Sequence, residues 1–227
     1  EQAESGGAEL VVIRMDTPGG LMESMRGIIK KMLASEVPVV TWVTPAGARA
    51  ASAGTYLLYG SHVAAMAPAT HLGSATPVQM GGVPGLDEPK PDDDGGQSEA
   101  GPDSGATENG ETSTTDKTAD KRRGKTAMER KVLEDAVSYI RGLAKRHGRN
   151  ADWAEQAVRE AVNLSAEDAV EKNVVDVVAD SLPDLMEQIH GRTLVMAGGE
   201  QTLNTEGIEL QRSDPDWRTE LLSVITD

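Results

Sequence analysis

Glu9-Leu10-Val11-Val12-Ile13-Arg14-Met15 running into Asp16-Thr17-Pro18-Gly19-Gly20 is the stretch that decides the fold. Apart from Glu9 at its start and Arg14 inside it, residues 9–15 are an apolar run, the pattern of a buried parallel strand, and the run stops at a glycine turn. Beyond the turn, Leu21, Met25, Ile28, Ile29 and Met32 recur at helical spacing, with Glu23, Arg26, Lys30 and Lys31 on the other faces. Residues 37–43 are rich in β-formers, 45–49 are loop-like, 52–59 are small and then apolar, and 62–66 return to strand character. Strands alternating with helices in this way predict an α/β domain with a parallel sheet, flanking helices and right-handed crossovers.

The remaining 227-residue chain narrows the class further. A net charge of -15 disfavours nucleic acid and anionic membrane surfaces, which are held by clustered Lys and Arg. There is no cysteine, so neither a disulfide framework nor a thiolate metal site is available. No stretch approaches the roughly 20 apolar residues of a membrane span. The first residue is Glu1, with no signal peptide behind it, so the sequence reads as a piece of a longer chain.

From about residue 81 to 124 the composition changes to Gly, Pro, Ser, Thr, Asp and Glu, which cannot bury enough apolar surface to offset chain entropy. A disordered acidic insertion is expected there, ending in the short basic run Lys121-Arg122-Arg123. A helix is expected over residues 127–145, and Gly148 stops it. Asn150 is placed to cap a second helix through Val162, and Ser165-Ala166-Glu167-Asp168 to start a third. A strand is expected over 174–178, a helix opened by Pro183 and a small hairpin within 193–210. The domain plan is therefore 1–80, an insertion 81–126, 127–191, and a C-terminal hairpin and amphipathic helix over 192–227.

Two glycine-bearing turns carry the chemistry. In Gly47-Ala48-Arg49-Ala50-Ala51-Ser52-Ala53-Gly54 the serine is flanked by Ala and Gly, so a substrate backbone can approach its hydroxyl. The residues after it look helical, which brings the free N–H groups and positive dipole end of a helix to a developing oxyanion. Ser52 serving simply as the helix cap is the alternative. The Pro18-Gly19-Gly20 turn exposes backbone N–H groups at the carboxyl end of a strand, where α/β proteins bind ligands; an ordinary strand-to-helix turn is the alternative.

These residues resemble a family. Asp-Thr-Pro-Gly-Gly at 16–20, Gly-Ala-Arg-Ala-Ala-Ser-Ala-Gly-Thr-Tyr at 47–56, Gly-Ser-His-Val-Ala-Ala-Met-Ala-Pro at 60–68, and Tyr139-Ile140-Arg141 followed by Gly148-Arg149-Asn150 are similar to the NfeD proteins, also called stomatin operon partner proteases. The resemblance implies a ClpP/crotonase-like fold and a Ser/Lys dyad, with Ser52 as nucleophile. The base falls on Lys131, ten residues before Arg141. The implied oxyanion donors are Gly20, with Gly19 beside it, and Ala53. The implied substrates are hydrophobic protein segments, with the tail of a stomatin-like membrane partner foremost, and the fold commonly works as a homo-oligomer. Residues 214–225, which bring Trp217, Leu221, Leu222, Val224 and Ile225 together, match the segment that leads into the family's membrane helices. The whole protein is then membrane-anchored with an extracytoplasmic protease domain, and this piece soluble.

A lysine acts as a base only when neutral, so a pKa of roughly 10.4 must fall by several units. Lys131 lies near a helix start, where the dipole disfavours a cation, and is expected to face an apolar cleft. Asp135, one turn later, is placed to pair with it and keep it charged. Arg130 and Lys125 are weaker substitutes, and His71 is the alternative base. His62 begins a strand, while His147 and His190 sit at helix ends, where histidines usually complement the dipole. No histidine pair has the spacing of a zinc site, so neither metal nor cofactor is expected. Two rivals remain: a scaffold that binds a stomatin-like protein without cleaving it, and an acyl-CoA enzyme of the crotonase type.

Overall fold

The computed structural model describes residues 2–77 and 126–212. A short helix α1 (Gln2–Ser5) precedes β1 (Val11–Met15), and the 16–20 turn leads to α2 (Met22–Ala34) and β2 (Val39–Val43). There follow β3 (Arg49–Ala51), α3 (Ala53–Gly60), β4 (Val63–Met66) and β5 (His71–Gly73). The second part holds α4 (Ala127–Arg146), α5 (Ala151–Arg159), β6 (Asn163–Ser165), α6 (Ala166–Glu171), β7 (Val177–Val178), α7 (Leu182–Ile189), β8 (Thr193–Met196) and β9 (Gly199–Thr202). The expected acidic insertion lies outside the described residues except for Thr126, and the amphipathic helix expected over 214–225 lies wholly outside them.

Strands β1, β2, β4 and β7 form one parallel sheet in that order, so the α/β reading with a parallel sheet holds. A smaller sheet runs β3-β5-β6, and β8 and β9 form the expected hairpin. The central strand β2 is buried along its whole length because both faces of the sheet are covered. One face packs Val43, Ala64 and Met66 against Met25 and Ile29 of α2, Tyr56 and Tyr59 of α3 and Ile140 of α4. The other packs Val40, Trp42 and Ala65 against Leu185, Met186 and Ile189 of α7 and Leu194 and Met196 of β8.

Three expectations change. Residues 9–15 were read as a buried strand, yet β1 is an edge strand among the described residues, and Met15 alone in it is buried. The strand expected over 174–178 shrinks to Val177–Val178: Asp176 N–H still donates to Ala64 O at 2.8 Å, but Ala64 N–H is taken by the Asp176 carboxylate at 2.7 Å, where a regular ladder would use a backbone carbonyl. Helix α2 buries Met25, Ile29 and Met32 but leaves Ile28 and the preceding Leu21 exposed. Caps follow the sequence closely. Asn150 Oδ1 accepts from Asp152 and Trp153 N–H, Ser165 Oγ from Asp168 N–H, and Thr126 with Glu129 forms a capping box.

The chain following α4 locks α3 in place. Arg149, 5% exposed, donates through Nη1 to the carbonyls of Leu58, Tyr59 and Ser61 at 3.1, 3.1 and 3.0 Å, capping the C-terminal end of α3. Its Nη2 pairs with Asp176 Oδ2 at 2.6 Å. Beside it His62 and His147 meet edge-on, with ring centroids 5.7 Å apart. His62 Nδ1 accepts from Val39 N–H at 3.1 Å, so its proton sits on Nε2.

His147 was expected to complement the helix dipole as a cation. Burial instead pushes it down to about 3 and His62 down to about 4, with Arg149 and Arg146 adding repulsion at both and Asp176 opposing at His147. Both folded values lie below the ordinary histidine value near 6.5, so the unfolded chain takes up protons first. Stability is then full above about pH 6.5 and falls as the pH drops toward 4. Thermal melts at pH 7.5, 6 and 5 are expected to show a falling Tm, and His62→Gln with His147→Gln should flatten that slope. A double variant with the wild-type slope would assign acid sensitivity elsewhere.

Candidate active site

Ser52 occupies the sharp corner between β3 and α3. Its backbone, at φ 51° and ψ -115°, is in a region that non-glycine residues rarely adopt, and holding it there costs about 1–3 kcal/mol. Surrounding hydrogen bonds impose the corner. Ser52 N–H donates to Gly73 O at 3.0 Å, and Ser52 O accepts from Thr55 N–H at 3.0 Å. Thr55 Oγ1 lies 2.8 Å from Ala50 O and 2.9 Å from Gly73 O, and accepts from Gly73 N–H at 3.1 Å. The side chain does not cap α3, so the capping alternative for Ser52 fails. Its hydroxyl is half-buried and has no hydrogen-bond partner among the described residues.

The 16–20 turn lies directly against this corner. Thr17 N–H donates to Arg49 O at 2.8 Å, and Ala51 N–H donates to Thr17 O at 3.1 Å, so the turn runs parallel to β3. Gly19, at φ 148°, abuts the serine: a Cβ there would sit 3.2 Å from Ser52 Cβ and 3.5 Å from Oγ. A Cβ on Gly20 would stand 3.8 Å from that of Ala53. The two predicted donor positions are thereby brought together around Ser52. Among the described residues the N–H groups of Gly20 and Ala53 have no partner, whereas Gly19 N–H is taken by Thr17 Oγ1 at 3.2 Å. Gly19 contributes conformation to the site, and its amide is already engaged.

Lys131 sits early in α4, on the second turn after the Thr126 cap, and is exposed. The expected apolar cleft does not surround it, because residues 126–131 all project beyond the packed part of the helix into solvent. Asp135 was expected to compete for it, but instead pairs with Arg26, whose guanidinium lies 4.4 Å from the Tyr139 ring centre. Contacts between α3 and the α4 segment advance together along both elements. Their C-terminal ends meet through Arg149 and through Tyr59 Oη, which donates to Asn150 O at 2.9 Å, and their middles meet where Tyr56 and Tyr139 stack at 6.3 Å. The Ser52 end of α3 therefore lies toward the Lys131 end of α4.

His71 opens β5 opposite Arg49, two residues before Gly73, which pairs with Ala51. It is exposed and set back from Ser52 by about 7 Å of strand. Arg130 lies on the exposed first turns of α4, and Lys125 is outside the described residues. No cluster of three or more His, Asp or Glu suited to a metal occurs among the described residues.

Sequence reading assigned no role to Thr17, Thr55 or Gly73. Thr55 was legible as a hydroxyl one turn beyond the serine, but its partner Gly73 comes from β5, which is too short to read as a strand. Gly73, at φ 138°, admits no side chain, since a Cβ would fall 2.2 Å from Val162 O. Gly73→Ala is expected to lower unfolding stability by about 3 kcal/mol or more, read by urea denaturation. An unchanged midpoint would show that β5 and β6 part easily.

The NfeD1b N-terminal domain model matches residues 1–87. The membrane-bound protease PH1510 of Pyrococcus horikoshii is 31% identical over 227 residues, 99% of this chain. The match spans 43% of that protein, so this chain covers less than half of its relative's length. Among solved structures, the 1510-N membrane-bound stomatin-specific protease, as a lysine-to-alanine variant with a substrate peptide, superposes with a TM-score of 0.74 at 30% identity. That match covers 99% of this chain and 86% of the other. A serine-to-alanine variant of the same protease gives 0.70 at 30% identity over 94% and 86%. With the glycine turn and the serine corner assembled as the motifs require, and with this likeness along nearly its whole length, the chain belongs to the NfeD family.

Proposed function

We propose that this chain is the protease domain of a membrane-associated serine endopeptidase with a ClpP/crotonase-like fold and a Ser52/Lys131 dyad. The observation that carries the reading is Ser52 itself: a strained corner at a helix start, with an unengaged hydroxyl, flanked by Ala53 and by the Gly19–Gly20 turn, where the amides of Gly20 and Ala53 have no partner among the described residues. Ser52 Oγ attacks a peptide carbonyl while Lys131 Nζ takes its proton, and the tetrahedral oxyanion accepts from the N–H groups of Gly20 and Ala53. The same proton passes to the leaving amine, and water then hydrolyses the acyl-enzyme. Lys131 is eight residues before Tyr139, and Ser52 four before Tyr56. Tyr56 and Tyr139 stack, so both residues lie N-terminal to one contact between the two segments.

The relatives' names support stomatin-like proteins as substrates and a whole protein held at a membrane, and the family resemblance adds a preference for hydrophobic segments. No helix among the described residues is long and apolar enough to cross one. From the family resemblance we further infer anchoring by other parts of the protein, an extracytoplasmic protease domain and a homo-oligomer. Labelling by a serine-directed peptidyl phosphonate tests the site. Wild type should be labelled and Ser52→Ala and Lys131→Ala should not; labelling of Ser52→Ala would overturn the assignment. The exposure of Lys131 favours one second reading, a scaffold that holds its partner uncut. An unlabelled wild type that still captures a stomatin-like tail would establish it.

A further inference from the structure

Thr17 lies between the two turns and its side chain contacts both. Its hydroxyl donates to Gly19 O at 2.8 Å and accepts from Gly19 N–H at 3.2 Å, so both polar groups of that glycine are held by one oxygen. Its methyl occupies the space beside Gly54 in the first turn of α3, where a Cβ would fall 2.7 Å from Thr17 Cγ2. Its backbone is fixed to β3 on both sides, through Arg49 O and Ala51 N–H. A glycine at φ 148° has no side chain to hold its conformation, so the turn is as rigid as this clamp makes it.

We propose that Thr17 is a positioning residue for the reaction: by engaging the Gly19 amide, its hydroxyl leaves Gly20 N–H, beside Ala53, as the turn's oxyanion donor. The inference rests on the serine peptidase reading above. Two donors at a tetrahedral oxyanion act through geometry that is set before substrate arrives, and the loss of one such donor slows catalysis by about 100- to 1,000-fold. Loosening the turn rather than deleting the donor forfeits part of that factor. The effect belongs in kcat, since the ground-state carbonyl depends less on these bonds than the oxyanion does.

Thr17→Val keeps the branched shape and the methyl beside Gly54 but lacks the hydroxyl; Thr17→Ser keeps the hydroxyl but lacks the methyl. The valine variant is expected to lose about 10- to 100-fold in kcat on a peptide substrate, with KM within about twofold and Tm lowered by no more than about 4 °C. A peptide aldehyde, whose hemiacetal oxygen occupies the oxyanion position, should lose affinity by a similar factor. The serine variant should recover most of the kcat even where its Tm is the lower of the two. Hydrogen exchange at Gly19 N–H should quicken in the valine variant and not in the serine variant, a readout that needs no substrate. If kcat and aldehyde affinity follow Tm across both variants, or Gly19 exchange does not change, the hydroxyl has only a structural role and the proposal fails. A wild type that neither cleaves nor takes the phosphonate overturns the peptidase reading, and this inference with it.

Discussion

Ser52→Ala is expected to abolish peptide hydrolysis, a loss on the order of 10⁴-fold or more in kcat, while the fold is retained. Nucleophile and base act as a unit, so Lys131→Ala should cost nearly as much as Ser52→Ala, and the double variant little more than either. Stability should behave quite differently. Lys131 is exposed, and its replacement should stay within about 0.5 kcal/mol of wild type. Ser52 Oγ makes no hydrogen bond among the described residues, so alanine forfeits no native contact of that kind. Ser52→Gly should be more stable than wild type by about 1 kcal/mol, because glycine tolerates a φ of 51° that serine does not. Parallel measurement of kcat and urea midpoints for the four variants decides the matter. A Ser52→Gly protein less stable than wild type would show that the corner is not strained, removing the main support for the site.

Arg149→Ala is expected to destabilise the domain by about 3–5 kcal/mol, since removing one partner of a buried pair leaves the other charge uncompensated. The residues left behind are specific. Asp176 would lose its 2.6 Å ion-pair partner and keep the Ala64 N–H bond and the more distant cation Arg192 at 3.4 Å, and the carbonyls of Leu58, Tyr59 and Ser61 would lose the guanidinium bonds. Arg149→Lys should rescue little, because an ammonium is a point charge and cannot reach the carbonyls and the carboxylate from one planar fork. Since these bonds hold the far end of the helix that begins at Ser52, the phosphonate labelling rate should fall even where Arg149→Ala remains folded. Urea denaturation gives the stability change, and a midpoint close to wild type would show that the network contributes little. The same arginine raises the cost of charging His62 and His147, so the acid sensitivity described above should be smaller in Arg149→Ala if it folds.

Much of the architecture was legible because each element carries its own local signal. The apolar period of α2 and the Asn150 and Ser165 caps are short-range patterns that follow from backbone hydrogen bonding whatever the surroundings. The two glycine turns could be read for the same reason and drew attention to Ser52, while Gly20 and Ala53 came from the family resemblance that those turns carry. Burial of β1 was misjudged because its position at the sheet edge depends on what pairs beside it, which no run of apolar residues encodes.

The sequence by itself determined the α/β class, the order of the longer helices and of the strands of the main parallel sheet, and the serine at a small-residue turn, because periodicity, caps and turn residues act over a few positions along the chain. Only the tertiary structure decided that the Thr17 hydroxyl occupies the Gly19 amide, that Gly73 holds the serine corner, that Asp135 pairs with Arg26 rather than Lys131, and that Arg149 is buried beneath α3. Each of those outcomes joins groups from separate elements. A buried donor, acceptor or charge must find a partner wherever the packed chain supplies one, and sequence distance does not say which partner that is.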